Sequence, residues 1–330
     1  MKGLILCAGR GTRLYPITIN HPKTLIPVAN IPILQSCIEK LIEQGIYEIG
    51  IVLHPSQETV IKAKFEAGES WGATLTYIYQ TEAKGISDAA KQARDYIGEE
   101  AFLLLLGDNL ISESLSELKR DVEERGSCAS LLLAEVANPR DYGVAKVSDG
   151  RIVELVEKPQ NPISNLAVLG AYAFKPTVFE AISSIAPSAR GEYEITDAIQ
   201  WLIDHNCAVT YHITEKLNMD VGTMERWLEA NQMMLDELES DEMIHESAIL
   251  HNCTIVEPIS IDKGCVLKDC VIGPYVSISA DSYIDHCKIE NSILLSGVHL
   301  KHISYLLKNT IIGINSVLAG IKENGEGSDQ

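Results

Sequence analysis

From the start of the chain to about residue 240, short apolar runs alternate with amphipathic stretches, the pattern of a mainly parallel sheet covered by helices. The apolar runs predict strands over 3–6, 49–53, 75–79 and 102–106. Amphipathic spacing between them predicts helices over 33–44, 57–66 and 86–97, so each connection fits a βαβ unit. Further strands are expected within 128–136, 143–147, 152–157 and 169–174, followed by helices over 196–205 and 225–238.

Beyond the acidic stretch "DELESDEM" the period changes. Branched apolar residues recur every six positions at Ile249, Ile255, Ile261 and Leu267, then at Ile272, Ile278 and Ile284, and finally at Leu294, Leu300, Leu306, Ile312 and Leu318. This is the hexapeptide signature of a parallel β-helix, in which each short strand buries one residue against the coil above. The shorter steps, at 267 to 272 and between 284 and 294, imply irregular coils; β-hairpins with chance spacing are the alternative. The expected organisation is a larger α/β domain over 1–240, a repeat domain over 241–322 and a polar tail over 323–330.

Composition narrows the function. With 46 acidic and 27 basic residues the chain is unsuited to a nucleic acid polymer, which needs a broad basic face. No apolar run is long enough to cross a bilayer, and the opening "MKGLILCAGRG" is too short for a signal peptide, so a cytoplasmic protein is expected. Eight scattered cysteines without a C-x-x-C read as reduced structural thiols rather than a zinc site. Against this acidic background no acid precedes Glu39, while Lys2, Arg10, Arg13 and Lys23 do, a basic island that points to a local anion site.

A strand running into glycines and then basic residues suits phosphate, because the exposed backbone N–H groups point at oxyanions. "GRGTRL" is neither a P-loop nor a dinucleotide fingerprint: the first lacks its G-K-[ST], and the third glycine of the second is Leu14. "LCAGRGTRL" followed by "PKTLIP" does resemble the signature of the sugar-1-phosphate nucleotidyltransferases. The likeness continues in order through "LLLGDN", "DYGVAKV", "VEKP", "PSARGEYEITDAIQWLI" and "MDVGT". With the hexapeptide tail, the chain is similar to the long-form glucose-1-phosphate thymidylyltransferases, which implies an α/β, Rossmann-like nucleotidyltransferase domain followed by a left-handed parallel β-helix.

The resemblance implies a reaction between a nucleoside triphosphate, dTTP or UTP, and a sugar 1-phosphate, giving an NDP-sugar and pyrophosphate. A phosphate monoester is largely dianionic at neutral pH, with a second pKa of about 6, so no general base is needed. Cations that hold two repelling anions in line are needed instead. By motif position Arg13, Lys23 and Lys158 are the catalytic cations, Leu6, Gly9, Gly11, Thr12, Gln80 and Gly85 bind the nucleotide, and Asp108 and Asp220 hold Mg²⁺. Tyr142, Gly143, Glu157, Lys158, Val168 and Arg190 fall at the sugar-phosphate positions. Arg10 is either a contact or a solvated surface residue, and His21 the same. As neighbours on an extended segment, Glu157 and Lys158 are expected to diverge.

Two positions depart from the family pattern. Thr24 stands where short-form members carry a second base-reading glutamine, and Asn218 where long-form members carry an aromatic residue, which leaves room for a modified sugar. The rivals are a regulatory or assembly subunit that has lost catalysis, and a bifunctional enzyme that also transfers an acyl group. The repeat domain implies a homo-oligomer.

Overall fold

The computed structural model describes residues 1–9, 11–19, 21–216, 218–238 and 243–320. Arg10, most of the acidic stretch between the two patterns and the tail expected at 323–330 lie outside the described residues. The chain forms two compact units: Met1–Thr12, Thr18–Leu25 and Ile33–Asp220 make the first, and Arg13–Ile17, Ile26–Pro32 and Val221–Gln330 the second.

In the first unit the strands Thr74–Tyr79, Glu48–Leu53, Lys2–Leu6 and Phe102–Leu106 lie side by side, all parallel. The inner three are buried on both faces, which is why they read as unbroken apolar runs, while Thr74–Tyr79 at the edge is partly exposed. Leu166–Phe174 then pairs antiparallel with Phe102–Leu106, and joins the hairpin Gly143–Ser148/Arg151–Glu157 and the strand Ala129–Glu135 to the sheet. Val209–Ile213 pairs parallel with Ala129–Glu135. That last strand, with the helices Ser116–Glu123 and Val178–Ser184, was not anticipated, and the helix expected over 86–97 is two, Ile86–Gln92 and Arg94–Ile97. Leu6 and Leu106 are register partners, so the glycine loop and Asp108 leave the same carboxyl edge of the sheet, where α/β folds collect ligands.

The second unit is a parallel β-helix with a helix, Met224–Glu237, packed among its elements. Three inward ladders climb it: Leu250–Leu267–Ile284–Leu300–Leu318, Ile255–Ile272–Ile289–Leu307 and Ile261–Ile278–Leu294–Ile312. The hexapeptide reading therefore needs correction at three places. Ile249 and Leu306 are 59% and 49% exposed, and their inward places belong to Leu250 and Leu307. Leu318 is on a ladder but exposed, on the last described coil. The short steps are also regular: 250 to 255, 267 to 272 and 284 to 289 are the same corner on successive coils, not defects.

Two of the corners are turned by residues in the left-handed region. Asn252, Asp269, His286 and His302 form one column with φ of 52–53°, and Gly264, Asp281, Gly297 and Asn315 another. Asx and glycine suit such positions, which explains the polar residues between the apolar ones. Within the same unit the turn at Ala29–Asn30 is pinned to the coils by side-chain amides. Asn30 Nδ2 donates to Ser260 Oγ at 2.9 Å and Ile278 O at 3.1 Å, and Ser279 Oγ donates to Asn30 Oδ1 at 2.9 Å. Asn231, on Met224–Glu237, accepts from Ala29 N at 2.9 Å and Ser277 Oγ at 2.7 Å.

Ile284 is fully buried in the middle of its ladder, with Leu267 below and Leu300 above. Ile284→Ala is expected to cost about 2–5 kcal/mol of stability in denaturant unfolding, because a stacked coil cannot collapse onto the vacated space. Loss of well under 1 kcal/mol would contradict this packing.

Candidate active site

The loop after Lys2–Leu6 passes through Gly11, whose φ of +62° favours glycine and whose absent Cβ would lie 2.9 Å from Lys23 Cβ. Thr18 Oγ1 donates to Gly11 O at 2.7 Å and holds the loop closed. Lys23 stands behind it on the turn Lys23–Leu25, only 9% exposed. Its ammonium donates to Asp108 Oδ2 at 2.6 Å and to Asp220 Oδ1 at 3.0 Å.

Two short strands bring those carboxylates together. Asn109–Ile111 follows Asp108, and Asn218–Asp220 pairs with it antiparallel, so Asp220 faces Asn109 across the ladder. With its amide turned to suit its neighbours, Asn109 donates to Asp108 Oδ1 at 3.1 Å and accepts from Gly170 N at 3.2 Å. Gly170 is needed there, since a Cβ would sit 2.2 Å from the Asn109 amide. Burial works against the charge of Lys23, but Asp108 and Asp220 more than offset it and hold the ammonium's pKa above its usual value.

Sugar-phosphate positions gather around the same strand, Leu166–Phe174. Gly143 and Glu157 are register partners, and a Cβ on Gly143 would meet Thr196 Cγ2 at 2.6 Å, Glu157 Oε2 at 3.3 Å and Val168 Cβ at 3.7 Å. Thr196 Oγ1 donates to Glu157 Oε2 at 3.0 Å. Lys158 N donates to Tyr142 O at 3.0 Å. The expected divergence of Glu157 and Lys158 does not occur: Lys158 has φ of +41°, which breaks the extended alternation and leaves its Nζ 3.7 Å from Glu157 Oε1. Arg190 donates to Glu194 at 2.9 Å and Glu192 at 3.1 Å, and reaches within 3.8 Å of Glu157. Burial pushes the Glu157 carboxyl above the usual range, the Thr196 hydrogen bond opposes that, and the charge of Glu194 adds to it.

Gln80 is buried, with Nε2 donating to Asp88 Oδ2 at 2.7 Å and Gly85 O at 3.3 Å. Gly85, at φ +104°, runs hard against the Tyr193 backbone, 2.6 Å from where its Cβ would be to Tyr193 O. Close packing by itself requires glycine at this position. Leu6 accepts from Gly107 N through its carbonyl, Gly9 has open space where a Cβ would stand, and Thr12 is exposed. Arg13 is exposed on the turn Thr12–Leu14, where the chain passes into the second unit. Thr24 is buried, 3% exposed, and Asn218 donates its amide to Lys216 O at 2.8 Å. His21 bonds Leu25 O at 3.2 Å, a contact local to the loop.

Sequence reasoning missed Asn109, Thr196, Glu194 and Asp88. The first three lie inside the quoted motifs, so their neighbours were a signal; nothing in the pattern singles out Asp88. The arrangement is a glycine loop at the carboxyl edge of a sheet, a buried lysine, two converging carboxylates and a second cluster of cations and carboxylates. It is built to hold polyanions and a cation, without a nucleophile–base pair.

That is the class of a nucleotide-transferring protein, and comparison with known proteins agrees. Residues 2–237 match the nucleotidyl transferase family model, and the chain belongs to that family. It is 39% identical to the low-salt glycan biosynthesis nucleotidyltransferase Agl11 of Haloferax volcanii, covering 89% of this chain and 87% of that protein. It is 35% identical to a glucose-1-phosphate thymidylyltransferase of Streptomyces griseus, over 91% of this chain and 88% of that protein. Among solved structures, UDP-glucose pyrophosphorylase complexed with UDP-glucose superposes with a TM-score of 0.64 at 28% identity, covering 72% of this chain and 99% of that one. Among the described residues no helix is long and apolar enough to cross a membrane.

Replacing Thr196 by Val removes the hydrogen bond that favours the ionised form of Glu157. A carboxyl-carbon NMR titration is expected to show the Glu157 midpoint above the usual carboxylate range in the native chain and higher still in T196V. A midpoint that stays put or falls would contradict the geometry.

Proposed function

We propose that the protein transfers a nucleotidyl group from dTTP or UTP to a sugar 1-phosphate, with glucose 1-phosphate the first sugar to test. One observation carries the reading: Asp108 and Asp220, far apart in sequence, converge on a single cation beside the glycine loop. The relatives named above, which include a thymidylyltransferase and a UDP-glucose pyrophosphorylase, support the substrate class.

The chemistry then divides among the chain's residues. The glycine loop supplies N–H donors to the triphosphate, and Lys23 places positive charge at the α-phosphate, where negative charge grows as the sugar phosphate attacks. Arg13, by its place in "GTRL", neutralises the departing pyrophosphate through its planar fork. Lys158 and Arg190 hold the incoming phosphate, and Glu157 accepts hydrogen bonds from sugar hydroxyls. The two aspartates that now share the lysine ammonium have the oxygen donors Mg²⁺ prefers; they are the residues that would hold it, and when bound it neutralises charge on the triphosphate oxygens. Gln80 spends both N–H bonds on Gly85 and Asp88, so its free group is Oε1, an acceptor. That suits the N3–H of thymine and uracil alike, and Gln80 alone does not separate them.

Pyrophosphate release is the test. Four nucleoside triphosphates should be mixed with several hexose 1-phosphates and Mg²⁺; release is expected with dTTP or UTP. D108N and R13A are expected to lose roughly a hundredfold or more of turnover while remaining folded. Activity within a few-fold of the native chain would mean the site is misassigned, and no release with any pair would leave the regulatory-subunit reading. We also read the chain as a homo-oligomer, in keeping with exposed Tyr305, Leu306, Val317 and Leu318 on the final coils. Sedimentation is expected to give a species larger than 36.2 kDa, and a monomer would contradict this.

A further inference from the structure

The β-helix carries a second cluster of ligand-type side chains that the transfer reaction does not use. At the corner column Asn252–Asp269–His286–His302 the coils stack one residue above the next, with all four in the left-handed region. The upper two are histidines, their ring centroids 4.8 Å apart, about the spacing of adjacent strands. Asp285 lies beside them, and one ligand atom each from Asp285, His286 and His302 falls within 4.8 Å of the others. His286 Nδ1 is 2.6 Å from Asp285 Oδ1, and Asp269 Oδ2 is 3.8 Å from His286 Nε2. Lys268 and Lys301 flank the cluster, lying over the Tyr283 ring at 5.5 and 5.1 Å, and the Tyr283 hydroxyl donates to Asp285 Oδ2 at 3.5 Å.

We propose that His286 and His302, with the carboxylate of Asp285, form a binding site for a divalent transition metal of the zinc type on the outer corner of the β-helix. Imidazole with carboxylate suits zinc, nickel or copper and not magnesium, which takes oxygen ligands. With Asp285 Oδ1 at His286 Nδ1, the metal takes that side of the ring, and Nε2 faces Asp269, the kind of carboxylate that commonly stands behind a ligating histidine. Around tetrahedral zinc, with ligand bonds of about 2.0–2.2 Å, neighbouring ligand atoms stand about 3.3 Å apart, so the side chains need close by only an ångström or two. His286 is exposed and His302 half-buried, which allows that movement. Three protein ligands leave a position for water or for a ligand from outside. A bound ion would tie together two successive coils at a corner that their backbone hydrogen bonds already align, His302 N to Asp285 O at 2.8 Å.

The test is calorimetric titration of the full chain, free of any histidine tag and stripped by chelator, with zinc chloride against a large excess of Mg²⁺. One zinc-dependent step is expected in the native chain. It should weaken at least tenfold in H286N and in H302N, since asparagine keeps the left-handed backbone while removing the imidazole. Circular dichroism checks that both variants are folded. C253S should leave the step unchanged, because that half-buried thiol is the most accessible soft ligand of the adjoining column Cys253–Cys270–Cys287. Absence of zinc binding in the native chain, the same step in the H286N/H302N double variant, or its loss in C253S alone, each overturns the proposal.

Discussion

The Lys23 ammonium sits between Asp108 and Asp220, 85 and 197 residues away in sequence, and the first unit depends on that contact. Each ion taken out of water costs several kcal/mol, so a lysine only 9% exposed is tolerable only with its carboxylates in place. The same requirement fixes geometry. Asp108 must leave the sheet beside the glycine loop, and the short strand Asn218–Asp220 must return to meet it. A group of charges that close is costly with one partner missing.

The strand Leu166–Phe174 connects this triad to the second cluster. Gly170 admits the Asn109 side chain, and at Gly143 the absent Cβ leaves room for both Val168 and the Glu157 carboxylate. Small residues at 143 and 170 thus do the same work, letting polar side chains approach the backbone where a methyl group would exclude them. The left-handed turn at Lys158 belongs to this economy of space, since it brings a cation back over the carboxylate that precedes it.

In the second unit the constraint is stacking. The coils run 16–18 residues, and the step of five recurs at one corner of the first three, whereas in the fourth the same corner spans seven, from Leu300 to Leu307. The hexapeptide count found the ladders but misread that corner as irregular, because a period of six assumes three equal sides. It also took Leu306 for an inward residue where Leu307 is. One residue of slip reverses which face a strand buries, and the sequence has leucine at both positions. The turn at Ala29–Asn30 was not legible at all. Its tie to Ser260 and Ile278 rests on one asparagine amide some 230 residues from its partners, and no local pattern marks such a bond.

What the amino-acid sequence determined by itself was whatever depends on local order: buried strands as apolar runs, the glycine loop with its basic neighbours, the repeat, and the family to which these motifs belong. Which residues share a site was decided only by the tertiary structure. Asp88 on the Gln80 amide, Thr196 on Glu157, Asn109 between Asp108 and Gly170, and His302 over His286 are all contacts across elements. The reason is physical: periodicity reports which face of an element is buried, whereas hydrogen bonds and charge pairing act through space, and their partners exist only once separate strands and coils have been set side by side.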